Sequence, residues 1–273
     1  MSHSLLRRHF IASTSALCVA PAFMSGMVLA QDTYAGGASG PIYVQFPSQD
    51  PARVKEMVGA SHGNVARVRE LLESSPALAK ATYVWGYGDW ETALGAASHV
   101  GNREIASLLM ANGARPDIFT FAMLGELEVV KAYITANPGI QRTHGPHGLT
   151  LLHHARKGGE ESRAVVEYLE KVGEADIGYT SLPLTDVEKR MYAGEYSFGK
   201  EPSHAFKVSI DRNNRLIITR QPEGTNLVMF HQGDHEFHPA GAPAVRIRFQ
   251  VKGDQALSLT IVDGKPVLTA KRV

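Results

Sequence analysis

The chain has 273 residues, with 28 basic and 27 acidic side chains and a single cysteine, Cys18. This near-neutral balance gives no electrostatic reason to expect nucleic acid or an anionic membrane surface as a partner. One thiol excludes an intrachain disulfide and a cysteine-rich zinc site.

Residues 1–30 read as a signal peptide. Arg7 and Arg8 are its only charged side chains, an apolar run follows, and Val28 and Ala30 suit cleavage after Ala30. Arg7-Arg8-His9-Phe10-Ile11 resembles the twin-arginine export signal, although Ala12 stands where that signal often has Lys. Ordinary secretion is the alternative route. Leu17 precedes Cys18 where a lipoprotein signal wants a small residue, which speaks against lipidation. Polar residues interrupt the apolar run, leaving it marginal for a span of ~20 residues, so no stable membrane insertion is expected after cleavage. Removing 1–30 takes away two arginines and no acid, which leaves 26 basic against 27 acidic residues and no thiol. The expected location is periplasmic or secreted.

Residues 31–50 are rich in Gly, Ser and Pro without helical period and read as a linker. From 51 to 176 the apolar spacing is helical, in short pieces broken by glycine and proline. Four copies of one unit emerge, each a short helix, a glycine turn and a second helix, turning at Gly63, Gly101, Gly125 and Gly158-Gly159. In the second copy Leu94, Ile105, Leu108 and Leu109 supply the contact face, and Ala96, Ala97, Ala106 and Ala111 allow close approach. Such a hairpin buries its face only by stacking on its neighbours.

Thr92-Ala93-Leu94-Gly95-Ala96-Ala97 and Thr150-Leu151-Leu152-His153-His154-Ala155 match the opening Thr-Pro-Leu-His-x-Ala of the ankyrin repeat. Ile105-Ala106-Ser107-Leu108-Leu109 and Gly113-Ala114 match its second half. Residues 52–176 thus resemble the ankyrin family, whose period is about 33 residues. The resemblance implies a solenoid with projecting loops that bind partners, and a structural histidine at His153 that bonds a neighbouring turn. The long stretch before Thr92 is an enlarged finger carrying Tyr83, Trp85, Tyr87, Asp89 and Trp90. Aromatic residues on a loop suit a partner surface; the alternative is that Trp85 and Trp90 fold back as a lid on the repeats. A second loop adds Arg142, His144 and His147.

From 177 to 273 the texture changes to alternating runs such as FKVSID, RLIITR and VRIRFQV, separated by turn signals. About eight strands are expected, as an up-and-down barrel or a strongly curved sheet. Tyr192-Ala193-Gly194-Glu195-Tyr196, with Arg272 near the end, resembles a small β-domain appended to exported beta-lactamase-like serine hydrolases. The catalytic serine domain of that family has no counterpart here. The expected fold class is therefore α+β in two domains: an all-α ankyrin-like solenoid, then an antiparallel barrel-like domain.

No catalytic residue, metal ligand or cofactor is assigned from the sequence. His231, His235 and His238, with Asp234 and Glu236, contain zinc-type donors. Strand alternation sends His235 and His238 to opposite faces. Two functional readings stand. The first is an exported, non-enzymatic module that binds a protein partner outside the cytoplasm. The second is a metal-dependent hydrolase or small-ligand binder using the β-domain.

Overall fold

The computed structural model describes residues 49–201, 204–221 and 224–273. The expected signal peptide, and the linker up to residue 48, lie outside the described residues. Helices and a closed antiparallel β-barrel make up the rest, all within one unit, Tyr43–Val273. Among the described residues no helix is long and apolar enough to cross a membrane.

Eight helices pair into four hairpins: α1 (Pro51–Ala60) with α2 (Val65–Ser74), α3 (Ala93–Val100) with α4 (Arg103–Ala111), α5 (Ile118–Leu124) with α6 (Leu127–Ala136), and α7 (Leu151–Lys157) with α8 (Arg163–Val172). Polar side chains start most of them by accepting an otherwise orphaned backbone N–H: Asn64 from Arg67, Thr92 from Gly95, Asn102 from Ile105, Asp117 from Thr120 and Thr150 from His153. Helix α3 packs against α1, α5 and α7. Two turn glycines are demanded by that packing. Gly101 and Gly125 have φ of 80° and 79°, and a Cβ would come within 2.1 Å of the Lys157 carbonyl oxygen and 2.2 Å of the Glu161 carbonyl oxygen respectively.

The apolar faces fall as the helical period expects, with one shift. Leu94, Ile105 and Leu109 are buried, whereas Leu108 is only half-buried on the flank. Ile105 and Leu109 are four residues apart and define the inward line of α4; Leu108 lies beside it.

The enlarged segment between α2 and α3 contains a two-stranded ribbon, β1 (Thr82–Gly86) and β2 (Asp89–Thr92), paired antiparallel with Val84 opposite Trp90. Alternation then decides the burial. Val84 and Trp90 share the outer face, at 54% and 59% exposure, while Asp89 and Glu91 point inward.

After helix α9 (Asp186–Tyr192), eight strands β3 to β10 form a meander closed by pairing β10 with β3. They span Gly194–Ser197, Ala205–Ile210, Leu216–Arg220, Leu227–Gly233, Glu236–Pro239, Arg246–Lys252, Gln255–Asp263 and Lys265–Arg272. Tyr196, Phe206, Ile218, Phe237, Ile247, Phe249 and Leu259 fill the interior. Arg272 fastens the closure: it donates to the Ala193 carbonyl at 2.6 Å and lies over the Tyr196 ring. A Cβ on Gly194 would sit 2.8 Å from the Arg272 guanidinium carbon, which accounts for the glycine between Tyr192 and Tyr196.

Candidate metal centre

The ribbon brings Glu91 to the centre of a histidine cluster. Glu91 has no solvent exposure, and His62, His99 and His147 surround it; one ligand atom from each of the four lies within 4.8 Å of the others. His62 lies in the turn after α1, His99 in the last turn of α3, and His147 in the loop before α7. The four donors thus come from four separate segments of the helical part.

Each imidazole is oriented by a partner. The His62 Nδ1–H donates to the Val58 carbonyl at 3.0 Å, since a carbonyl can only accept, and Nε2 faces Glu91 Oε2 at 3.5 Å. Asp89 grips His147 twice: Oδ1 accepts from its backbone N–H at 3.0 Å and Oδ2 from Nδ1 at 2.7 Å. That leaves His147 Nε2 facing Glu91 Oε1 at 3.5 Å. His147 holds a left-handed backbone, φ 59°, to make both contacts. Carboxylate and carbonyl partners of this kind fix the tautomer of metal-binding histidines.

The decisive detail is at His99. Its Nδ1 lies 2.9 Å from Glu91 Oε1, yet the pair is not aligned as a hydrogen bond, and both atoms are buried without a hydrogen-bond partner. Buried polar atoms are rarely left so. A cation held between the donors would satisfy both. Tetrahedral zinc with bonds of about 2.0–2.1 Å spaces its donors about 3.3 Å apart, and the 2.9 and 3.5 Å separations of His99 Nδ1 and His147 Nε2 from Glu91 Oε1 bracket that value. The other carboxylate oxygen, Oε2, accepts from the Trp85 indole N–H at 2.7 Å.

The electrostatics suit a cation. Burial works to raise the Glu91 carboxyl, but the imidazoles of His147 and His99 outweigh it and hold the group at about 2. Burial also opposes charge on His147, and the carboxylates of Asp89 and Glu91 overcome this and lift it to about 9. Two carboxylates facing three imidazoles therefore draw positive charge into the pocket.

The residues expected from sequence to meet a partner separate into groups. Asp89 and His147 join the cluster, and Trp85 supports it from the edge. Tyr83 packs half-buried on the helical core and against Trp85, ring centres 4.9 Å apart. Tyr87, at the ribbon tip, packs against the barrel core. Trp90 remains exposed. Arg142 pairs with Glu174 at 2.6 Å. His144 donates to the Ile177 carbonyl at 2.8 Å and lies against Tyr179.

The barrel histidines do not converge. His235 Nδ1 meets the Tyr192 hydroxyl at 2.8 Å, His238 is buried against Phe230, and His231 packs on Phe237. Among the described residues the donor set that converges is His62, Glu91, His99 and His147. Sequence spacing alone does not single out His62, Glu91 and His99. A signal was present: Ser61-His62-Gly63-Asn64 and Ser98-His99-Val100-Gly101-Asn102 place a Ser-His pair before the turn of two successive hairpins. Both serines are buried and donate back to the carbonyl four residues earlier, Met57 and Leu94. Equivalent positions in neighbouring hairpins thus deliver two donors to one point.

No protein-family model matches the chain, and no curated protein matches it.

Proposed function

We propose that residues 51–176 are an ankyrin-type stack in an exported binding protein, and that its ligand is a divalent transition metal ion held by His62, Glu91, His99 and His147. The helix pairs, the close-packed turn glycines and the His153 bond to the His99 carbonyl at 3.2 Å support the repeat reading. The observation that carries the metal reading is the convergence of one donor atom from each of three imidazoles and a buried carboxylate within 4.8 Å. Three imidazoles and one carboxylate suit zinc, which takes nitrogen and oxygen donors together. Four protein donors fill a tetrahedral shell and leave no open position, which favours holding the ion over hydrolysis. The N-terminal signal pattern supports export.

Metal analysis of the purified mature chain after zinc loading and dialysis tests this. One equivalent in wild type and loss in His62→Ala is the expected result. His62 is the half-exposed member, so its removal spares the core. Equal metal content in the two proteins would remove the site.

A protein partner is the second reading, and the exposed Val84–Trp90 pair favours it. Two large apolar side chains side by side on an outer ribbon face are a contact patch. If Trp90→Ala leaves the elution of the mature chain with its extract partners unchanged, the ribbon face is not that patch.

A further inference from the structure

The barrel reaches the residues that orient the candidate metal donors. Asp89 is buried, and its carboxylate holds both the backbone and the ring of His147. Gly241, in the loop between β7 and β8, packs against the same carboxylate. It has φ 77°, and a Cβ there would run into Asp89. The barrel backbone therefore touches the group that aims a metal-facing imidazole.

The loop that carries His147 is tied to the barrel as well. Gly148, at φ 75°, lies so close to the Tyr179 ring that a Cβ would clash with it. Tyr179 in turn has the His144 ring at 4.3 Å, and the barrel rings of Phe230 and His238 at 5.1 and 5.0 Å, between ring centres. The ribbon makes a third link. Tyr87 at its tip packs on the barrel core, while Glu91 at its base faces the three imidazoles. Tyr87 does so on a left-handed backbone, φ 56°, which non-glycine residues keep only where surrounding contacts demand it. These links meet Asp89, the His147 loop and the ribbon without occupying a metal-facing donor atom. Outer partners of a ligating histidine fix its ring orientation and tune its affinity. Here those partners are positioned by the other part of the chain.

We propose that the barrel completes the metal centre: Gly241 and Tyr179 are positioning residues for Asp89 and the His147 loop, so that zinc affinity and docking of the barrel are linked. This rests on the metal reading above. Such a link is reciprocal: whatever factor docking adds to zinc affinity, zinc adds to docking.

Competition against a chromophoric chelator, on the full mature chain, tests it. Gly241→Ala displaces Asp89 and should weaken zinc about tenfold or more, the loss typical of outer partners of ligating histidines. Gly253→Ala, in the β8–β9 turn, is the control. Gly253 also has a left-handed φ, 64°, but a Cβ there meets nothing within 4 Å, so its zinc affinity should match wild type. Hydrogen exchange on wild type reads the reverse direction without a variant, and it decides the matter if Gly241→Ala does not fold. Zinc should slow exchange at residues 240–242 more than at the Gly253 turn. Wild type that binds no zinc would remove the metal reading and the link with it. Wild-type zinc affinity in Gly241→Ala, an equal loss in Gly253→Ala, or no effect of zinc on exchange at 240–242 would overturn the link alone and leave the metal site standing.

Discussion

Trp85 and Glu91 lie on the two strands of one ribbon, and the indole N–H of the first donates to the buried carboxylate of the second at 2.7 Å. The hairpin that carries the donor thus also carries the acceptor, and folding of the ribbon orients one of the four candidate metal donors. Trp85→Phe keeps the aromatic bulk and removes the donor. In chelator-treated protein it should cost about 1–3 kcal/mol, the penalty for stranding a buried acceptor. Urea unfolding of both proteins checks this; an unchanged midpoint would mean that Glu91 finds another donor.

Asp89 acts through His147. Asp89→Asn keeps the shape but removes the charge that holds the imidazole, so zinc affinity should fall about 10–100-fold, as is typical for partners of ligating histidines. Competition against a chromophoric chelator measures it. The backbone contact from His147 to the same side chain keeps the loop in place, so the melting temperature of the metal-free protein should move much less than the affinity.

In α4 the side chain on the inward line carries the packing. Leu109→Ala should destabilise the protein by about 2–5 kcal/mol, the range for a buried leucine, whereas Leu108→Ala should cost clearly less. Chemical denaturation of the pair decides it. The reverse order would place Leu108 inward and shift the register of the helix.

Burial pushes the His154 imidazole down to about 4. Its Nδ1–H donates to the Thr150 carbonyl, while Nε2 is buried without a partner. The titratable groups that act on it are His153, His99 and Glu91. A depressed histidine binds its proton more readily in the unfolded chain, with an ordinary value of about 6.5. Stability should therefore fall as pH drops from about 6.5 to about 4, by about 3 kcal/mol from this group. His154→Asn preserves a donor to Thr150 and should flatten that part of the stability–pH curve. An unchanged slope would place the acid sensitivity elsewhere.

The barrel was legible in the sequence because strand alternation and turn residues are local signals. Phe206 and Val208, Leu227 and Met229, and Ile247 and Phe249 sit where period two puts them, while the irregular pairing beside Val251 leaves Ala256 and Leu259 three positions apart in β9. The helix pairs were legible for the same reason. The site was not, because His62, Glu91, His99 and His147 are dispersed over 86 positions and meet only through stacking. The facing of the ribbon was not legible for a related reason. Its aromatic composition suggested a projecting contact loop, but composition does not say which way a strand faces. Pairing of Val84 with Trp90 turns Trp90 outward and leaves Trp85 on the opposite face, against Glu91. Of the two tryptophans expected to act together, one folds back and the other stays exposed.

X-ray absorption at the zinc edge of the loaded mature chain tests the central claim most directly, because it counts imidazoles around the ion. The expected spectrum has four nitrogen or oxygen neighbours at about 2.0–2.1 Å, with outer-shell scattering from three histidine rings and no sulfur, since the lone cysteine, Cys18, is not among the four donors. A six-oxygen shell, or scattering from fewer than three imidazoles, would contradict a metal centre built from His62, Glu91, His99 and His147.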